Sequence, residues 1–217
     1  MKTLASQTSN IAWFKLADFV ARGEKERALS VLRLLMHSVS DEALTYQLEG
    51  DILLSFNDDL ALDRYRTAAH LYQKLGKFQQ AISIYHRTLM LKEQEKTLQA
   101  LLTIYLTTQQ KIGIAHSFSK LAKLLLEKEN GDYLITYTHN IAEKFDVHVK
   151  IILYAQLVAT LLLYDVKNKN ITNIICTTLN LFKKDVTANQ SELKKFLAEL
   201  KALNFQEYKK AETYLKE

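Results

Sequence analysis

Residues 65–85 read YRTAAHLYQKLGKFQQAISIY, and this stretch decides the fold. Tyr65, Ala69 and Tyr72 recur at helical spacing and make one apolar face. Leu75-Gly76 interrupts the period, and Ala81 and Tyr85 then resume it on a second helix. Each residue type has a physical reason. Ala69 and Ala81 are small enough to let two helix backbones approach closely. Gly76 supplies the permissive backbone that ends one helix and starts the next. The three tyrosines fill the space between helices and keep a hydroxyl for solvent or a partner. The stretch therefore predicts a helical hairpin, a unit that cannot bury its apolar face without neighbours.

Neighbours are present in the chain. Trp13, Ala17, Val20, Ala28, Leu32 and Leu35 return 33 positions later as Tyr46, Gly50, Leu53, Ala61, Tyr65 and Ala68. A further unit follows 34 residues after the quoted one, with Ala81, Thr88 and Leu91 mapping to Ala115, Ala122 and Leu125. Ala81 and Ala115 are accordingly expected at close helix crossings. The second-helix alanines fall at 28, 61, 81 and 115, so one interval shrinks to 20 residues. Asp58 to Leu75 thus fits two roles, and the reading is one helix of about 18 residues shared by two units.

An aromatic, a small residue and a Tyr on a first helix, a Leu-Gly turn, then an Ala and an aromatic on a second resemble the tetratricopeptide repeat. The resemblance covers residues 10–128 and is closest over 58–92; further along, Gln110 stands where Gly76 did. It implies an all-α fold, a right-handed solenoid of helical hairpins over 1–128. Residues 129–217 are then degenerate helical repeats and capping helices continuous with the first part. The sequence departs from the family in having no proline, with Glu93 and Ser40 near the junctions where one is usual.

Composition agrees with an all-helical chain. Average usage would give about 11 prolines, and the five glycines, at 23, 50, 76, 113 and 131, are too scattered to build a phosphate loop. At 217 residues and 48% hydrophobic content the chain can bury a continuous core. Lone Cys176 excludes an internal disulfide and, among Ile174, Ile175 and Leu179, reads as a small core residue. Lys15 and Asp18 interrupt the N-terminal apolar residues, unlike a signal peptide, and a cytoplasmic location is expected. Residues 151–164 (IILYAQLVATLLLY) fall short of the ~20 apolar residues a spanning helix needs. They are expected to form a buried central helix and not a membrane insertion. Apolar faces recur at Leu134, Tyr137, Ile141 and Phe145, at Ile171, Ile174, Ile175, Thr178 and Phe182, and at Leu193, Phe196, Leu197, Leu200 and Leu203. Breaks at Lys167–Asn170 and Asp185–Asn189 predict loops.

The net charge of +5 is spread thinly, with an excess of two or fewer in every block of fifty residues. A nucleic-acid surface needs clustered Lys and Arg, so this distribution argues against one. His139 and Glu143 lie four apart, but two ligands do not make a metal site. Asp58, Asp59 and Asp63 at a helix start are accounted for by the helix dipole. No cofactor is implied and no catalytic constellation stands out.

The functional reading is therefore an interaction module, a scaffold or adaptor that binds a peptide or partner helix. Arg66, His70 and Lys74 form an i, i+4, i+8 stripe on the shared helix with Gln73 beside it. These four are the candidate partner-binding residues, suited to an acidic segment or a terminal carboxylate. Some members of the family clamp a terminal carboxylate with Lys and Asn repeated across units. Ala100, Ile104, Thr107 and Thr108 occupy the corresponding face here, so the clamp is missing and an apolar or mixed peptide fits better. The alternatives are a nucleic-acid-associated helical repeat protein, or an enzyme whose site is assembled only by folding.

Overall fold

The computed structural model describes residues 2–37, 41–128, 131–184 and 190–216, with the side chains of 2–10 left aside. Ser40 and the predicted loop Asp185–Asn189 lie outside the described residues. The described residues form twelve α-helices and no strand. The chain divides into two compact units, 1–97 and 98–217, each described here by itself.

The first unit holds α1 (Lys2–Ala21), α2 (Lys25–Met36), α3 (Glu42–Ser55), α4 (Leu60–Lys74) and α5 (Phe78–Leu91). Successive helices pack on one another, and α4 packs on both α3 and α5. Helix α4 has 15 residues instead of the about 18 expected for a helix over Asp58 to Leu75. It is shorter because Asp58 and Asp59 belong to the preceding turn and Leu75 to the following one.

Four helices end in the same way. Gly23, Asn57, Gly76 and Gln109 have φ of 77°, 53°, 71° and 53°. The amide of each donates to the carbonyl three residues back, on Val20, Leu54, Gln73 and Leu106. The next amide donates five back, to Phe19, Leu53, Tyr72 and Tyr105. This pair of bonds satisfies carbonyls that a helix end leaves open. The turns lie 34 residues apart from 23 to 57 and 33 apart from 76 to 109, one more and one fewer than the side-chain spacings of 33 and 34. The last turn also corrects the alignment, because Gln109 and not Gln110 occupies the place of Gly76. Counting five residues on from Gly23, Gly76 and Gln109 gives Ala28, Ala81 and Ile114, all fully buried, whereas from Asn57 the buried alanine is Ala61, four residues on, and Leu62 is half-buried. Ala115, expected at a close crossing, is only half-buried because the register differs by one.

Two ion pairs staple these turns within the first unit. Lys25 Nζ lies 2.9 Å from Asp58 Oδ2, joining turns one period apart, and Asp58 Oδ1 also accepts the Leu60 amide at 3.0 Å. Lys77 Nζ lies 3.3 Å from Asp41 Oδ2, while Asp41 Oδ1 caps α3 through the Leu44 amide at 3.0 Å. The Lys25 bond holds the Asp58 carboxyl below the usual carboxylate range. The Leu44 amide, with Lys77, does the same for Asp41.

The second unit comprises most of α6 (Glu95–Thr107), then α7 (Lys111–Lys128), α8 (Gly131–Ala142), α9 (Val147–Tyr164), α10 (Ile171–Lys184), α11 (Gln190–Leu203) and α12 (Phe205–Lys216). Helix α9 is its centre, packed against α7, α8, α10 and α11. By length and composition α9 could cross a membrane, at a mean hydropathy of 1.7. Its buried residues point all round the helix, as covering by four neighbours requires. The predicted α10 face is buried throughout, whereas on α11 only Phe196 and Leu200 are. Cys176 departs from expectation, being half-buried at the edge of α10 while Ile174, Ile175 and Leu179 take the core.

Left-handed backbone is costly for any residue with a Cβ. Gln109→Gly should therefore raise unfolding free energy by about 0.5–1 kcal/mol in urea titration, net of glycine's extra unfolded-state freedom. The Asp58 staple carries a sign in pH. A depressed folded pKa contributes stability above the unfolded value of about 3.9, and loses it as pH falls through the folded value. Wild type should lose stability to urea across that window, and Asp58→Asn, lacking the pair, should lose less.

Candidate functional site

Between α1 and α3 the first unit has an open groove of about 410 Å³, floored by Leu32 of α2. Trp13, Leu16, Ala17, Val20 and Ala21 form one wall, and Leu48, Asp51, Ile52 and Ser55 the other. Both walls come from helical spacing, since 13, 16, 17 and 20 and 48, 51, 52 and 55 each share a face. Trp13, the chain's single tryptophan, is 41% exposed at this groove. The 33-residue spacing makes it a repeat position. One period later its equivalent, Tyr46, lies half-buried under Arg64, whose Cζ is 5.6 Å from the ring centroid.

The groove's one charged lining residue belongs to a polar cluster. Tyr65 Oη donates to Asp51 Oδ1 at 2.7 Å, and Arg87 Nη1 lies 2.5 Å from the same oxygen. The Arg87 guanidinium also sits over the Tyr65 ring, 4.9 Å from its centroid. Burial, then the bond to Asp51, drives the Tyr65 hydroxyl well above its ordinary pKa, so it stays a donor. Two residues before Asp51, on another face of α3, buried Glu49 is met by Arg64 at 3.1 Å and Arg33 at 3.9 Å. A buried carboxylate requires such partners. The sequence carries little signal for this cluster, because Glu49 and Asp51 lie on a helix of mixed polar and apolar residues and Arg87 is 36 positions from Asp51.

The stripe lies elsewhere, on the outer face of α4. Tyr65, Ala69 and Tyr72 are buried as expected, leaving His70 and Lys74 exposed and Gln73 half-buried. Arg66 pairs with Asp63 one turn back on the same helix and also donates to the Leu62 carbonyl at 3.4 Å. Its guanidinium is therefore partly occupied by its own helix. At the positions of the missing clamp, Ile104 is buried and Thr107 donates to the Thr103 carbonyl.

His139 and Glu143 meet at 3.1 Å, and His139 Nδ1 is 2.8 Å from Tyr154 Oη, a surface pair braced by a tyrosine. Among the described residues no three His, Cys, Asp or Glu side chains gather as a metal site would need. The second unit has its own open pocket of about 310 Å³, lined by Ile112, Ala115, Ile151, Phe182 and Phe196 with Lys111 and Glu192 among its charged residues. No family model matches the chain, and no curated protein is similar to it.

The cluster makes a test of its own. Tyr65→Phe keeps the ring against Arg87 and removes one hydrogen bond to a carboxylate. Arg87 and solvent still serve Asp51, so unfolding free energy should fall by about 1–2 kcal/mol while the helical circular dichroism stays unchanged.

Proposed function

We propose that the chain is a helical-repeat interaction module, a scaffold or adaptor that holds a peptide or partner helix against its first unit. On this reading the hairpins form a right-handed stack of tetratricopeptide-like repeats, capped by the C-terminal helices and working in the cytoplasm without a cofactor or a catalytic role. The observation that carries it is the recurrence of one turn geometry at Gly23, Asn57, Gly76 and Gln109. Repeats of this kind present side chains in register along one surface, and such surfaces serve binding. The open apolar groove and the polar stripe on α4 both supply such a surface. The thin spread of positive charge supports a protein partner over nucleic acid.

The stripe Arg66, His70, Gln73 and Lys74 is a second, polar candidate surface, apart from the groove. Reversing Arg66 and Lys74 to Glu gives up the Arg66–Asp63 pair and should lower stability by no more than about 1 kcal/mol. It should weaken affinity capture of an acidic partner, read by quantitative mass spectrometry against wild type. Retention of every captured protein at wild-type level would move the site off the stripe.

A further inference from the structure

The short side chain of Leu32 is one reason why the groove above it stays open. One period later the same position is Tyr65, and there the ring fills the gap. Tyr65 lies so close to α3 that a Cβ on Gly50 would come within 2.8 Å of its ring. Its hydroxyl closes the site on Asp51. Leu32 is fully buried but shorter, and leaves the space of about 410 Å³ above it open. Asp51 belongs to both places. Tyr65 and Arg87 both engage its Oδ1, and the side chain also lines the groove.

Resting on the interaction-module reading, we propose that this groove receives a partner helix through a tyrosine that takes the place Leu32 does not fill, with its hydroxyl donating to the Asp51 carboxylate. The walls run from Trp13 to Ala21 and from Leu48 to Ser55, about two helical turns or 12 Å. That length suits a helix presenting residues at i, i+3, i+4 and i+7. The ring meets Trp13, Val20 and Ile52, and the carboxylate selects a ring with a donor at its tip. A phenylalanine would fill the space and leave the acceptor to water, and an acidic anchor would face Asp51 with like charge.

The probe is an acetylated, amidated amphipathic helical peptide with one central tyrosine on its apolar stripe, beside a phenylalanine twin. Binding is read from Trp13 fluorescence and by calorimetry. The tyrosine peptide should bind wild type about tenfold more tightly than its twin. Asp51→Asn should erase most of that preference. Ala17→Phe, at an exposed wall position, should abolish binding of both peptides with an unchanged melting temperature. Equal binding of the two peptides, or binding indifferent to Ala17→Phe, overturns the proposal. So does a concentration-dependent dimer that Ala17→Phe makes monomeric, since the occupant is then a second copy. Partner capture that is sensitive to Arg66 and Lys74 reversal but not to Ala17→Phe would leave the module reading standing and sink the groove. Capture of no partner by wild type, with tyrosine-selective peptide binding intact, would do the reverse.

Discussion

Helix α4 packs on α3 along one side and α5 along another, so a 15-residue helix has to bury two faces at once. Its composition follows from that demand. Ala61, Ala68 and Ala69 are buried and let backbones approach, while Tyr65 and Tyr72 reach across the wider gaps. Both tyrosines bring hydroxyls into the packing, and α3 answers with Asp51 and Gln47. Gly50 is needed at the closest point, where the Tyr65 ring leaves no room for a side chain. Burying rings against small residues supplies area and shape together, while their polar tips need named partners.

The turns translate that packing into a period. A helix that ends through a left-handed residue reverses the chain in few residues, and the following amide bonds five back to close the last carbonyl. Glycine does this without strain at 23 and 76, asparagine tolerates it at 57, and glutamine at 109 bears the cost. The same backbone thus occurs at positions 57 and 109 without glycine. Lys25 with Asp58 and Lys77 with Asp41 then tie turns and caps that are distant in sequence. These pairs are partly exposed, so they fix register more than they add stability.

The charged groups of the first unit are arranged by burial. Glu49 is deepest and has two arginines; Asp51, at the groove wall, has one arginine and one tyrosine. Arg64 and Arg87 each combine a carboxylate with an aromatic face, a geometry suited to a planar guanidinium. The outer face of α4 lacks such cross-helix bracing for Arg66, whose ion pair stays within its own turn. Two surfaces of different character result, an apolar groove with one acceptor and a solvated basic stripe.

Much of this was legible in the residues before folding. Helical periodicity and absent prolines pointed to an all-helical chain, and Leu75-Gly76 to the turn between α4 and α5. Burial of α9 followed from its apolar residues lying all round the helix. Local pattern carries such features because turn chemistry and amphipathicity act over a few residues. Which alanines are buried was less secure, since a one-residue slip moves a position by about 100° around a helix and put Ile114 where Ala115 was expected. The groove was not legible. It depends on Leu32 being short, on α1 and α3 standing apart over it, and on Asp51 turning between two neighbours. Those are distances between residues far apart in the chain, and only tertiary packing sets them.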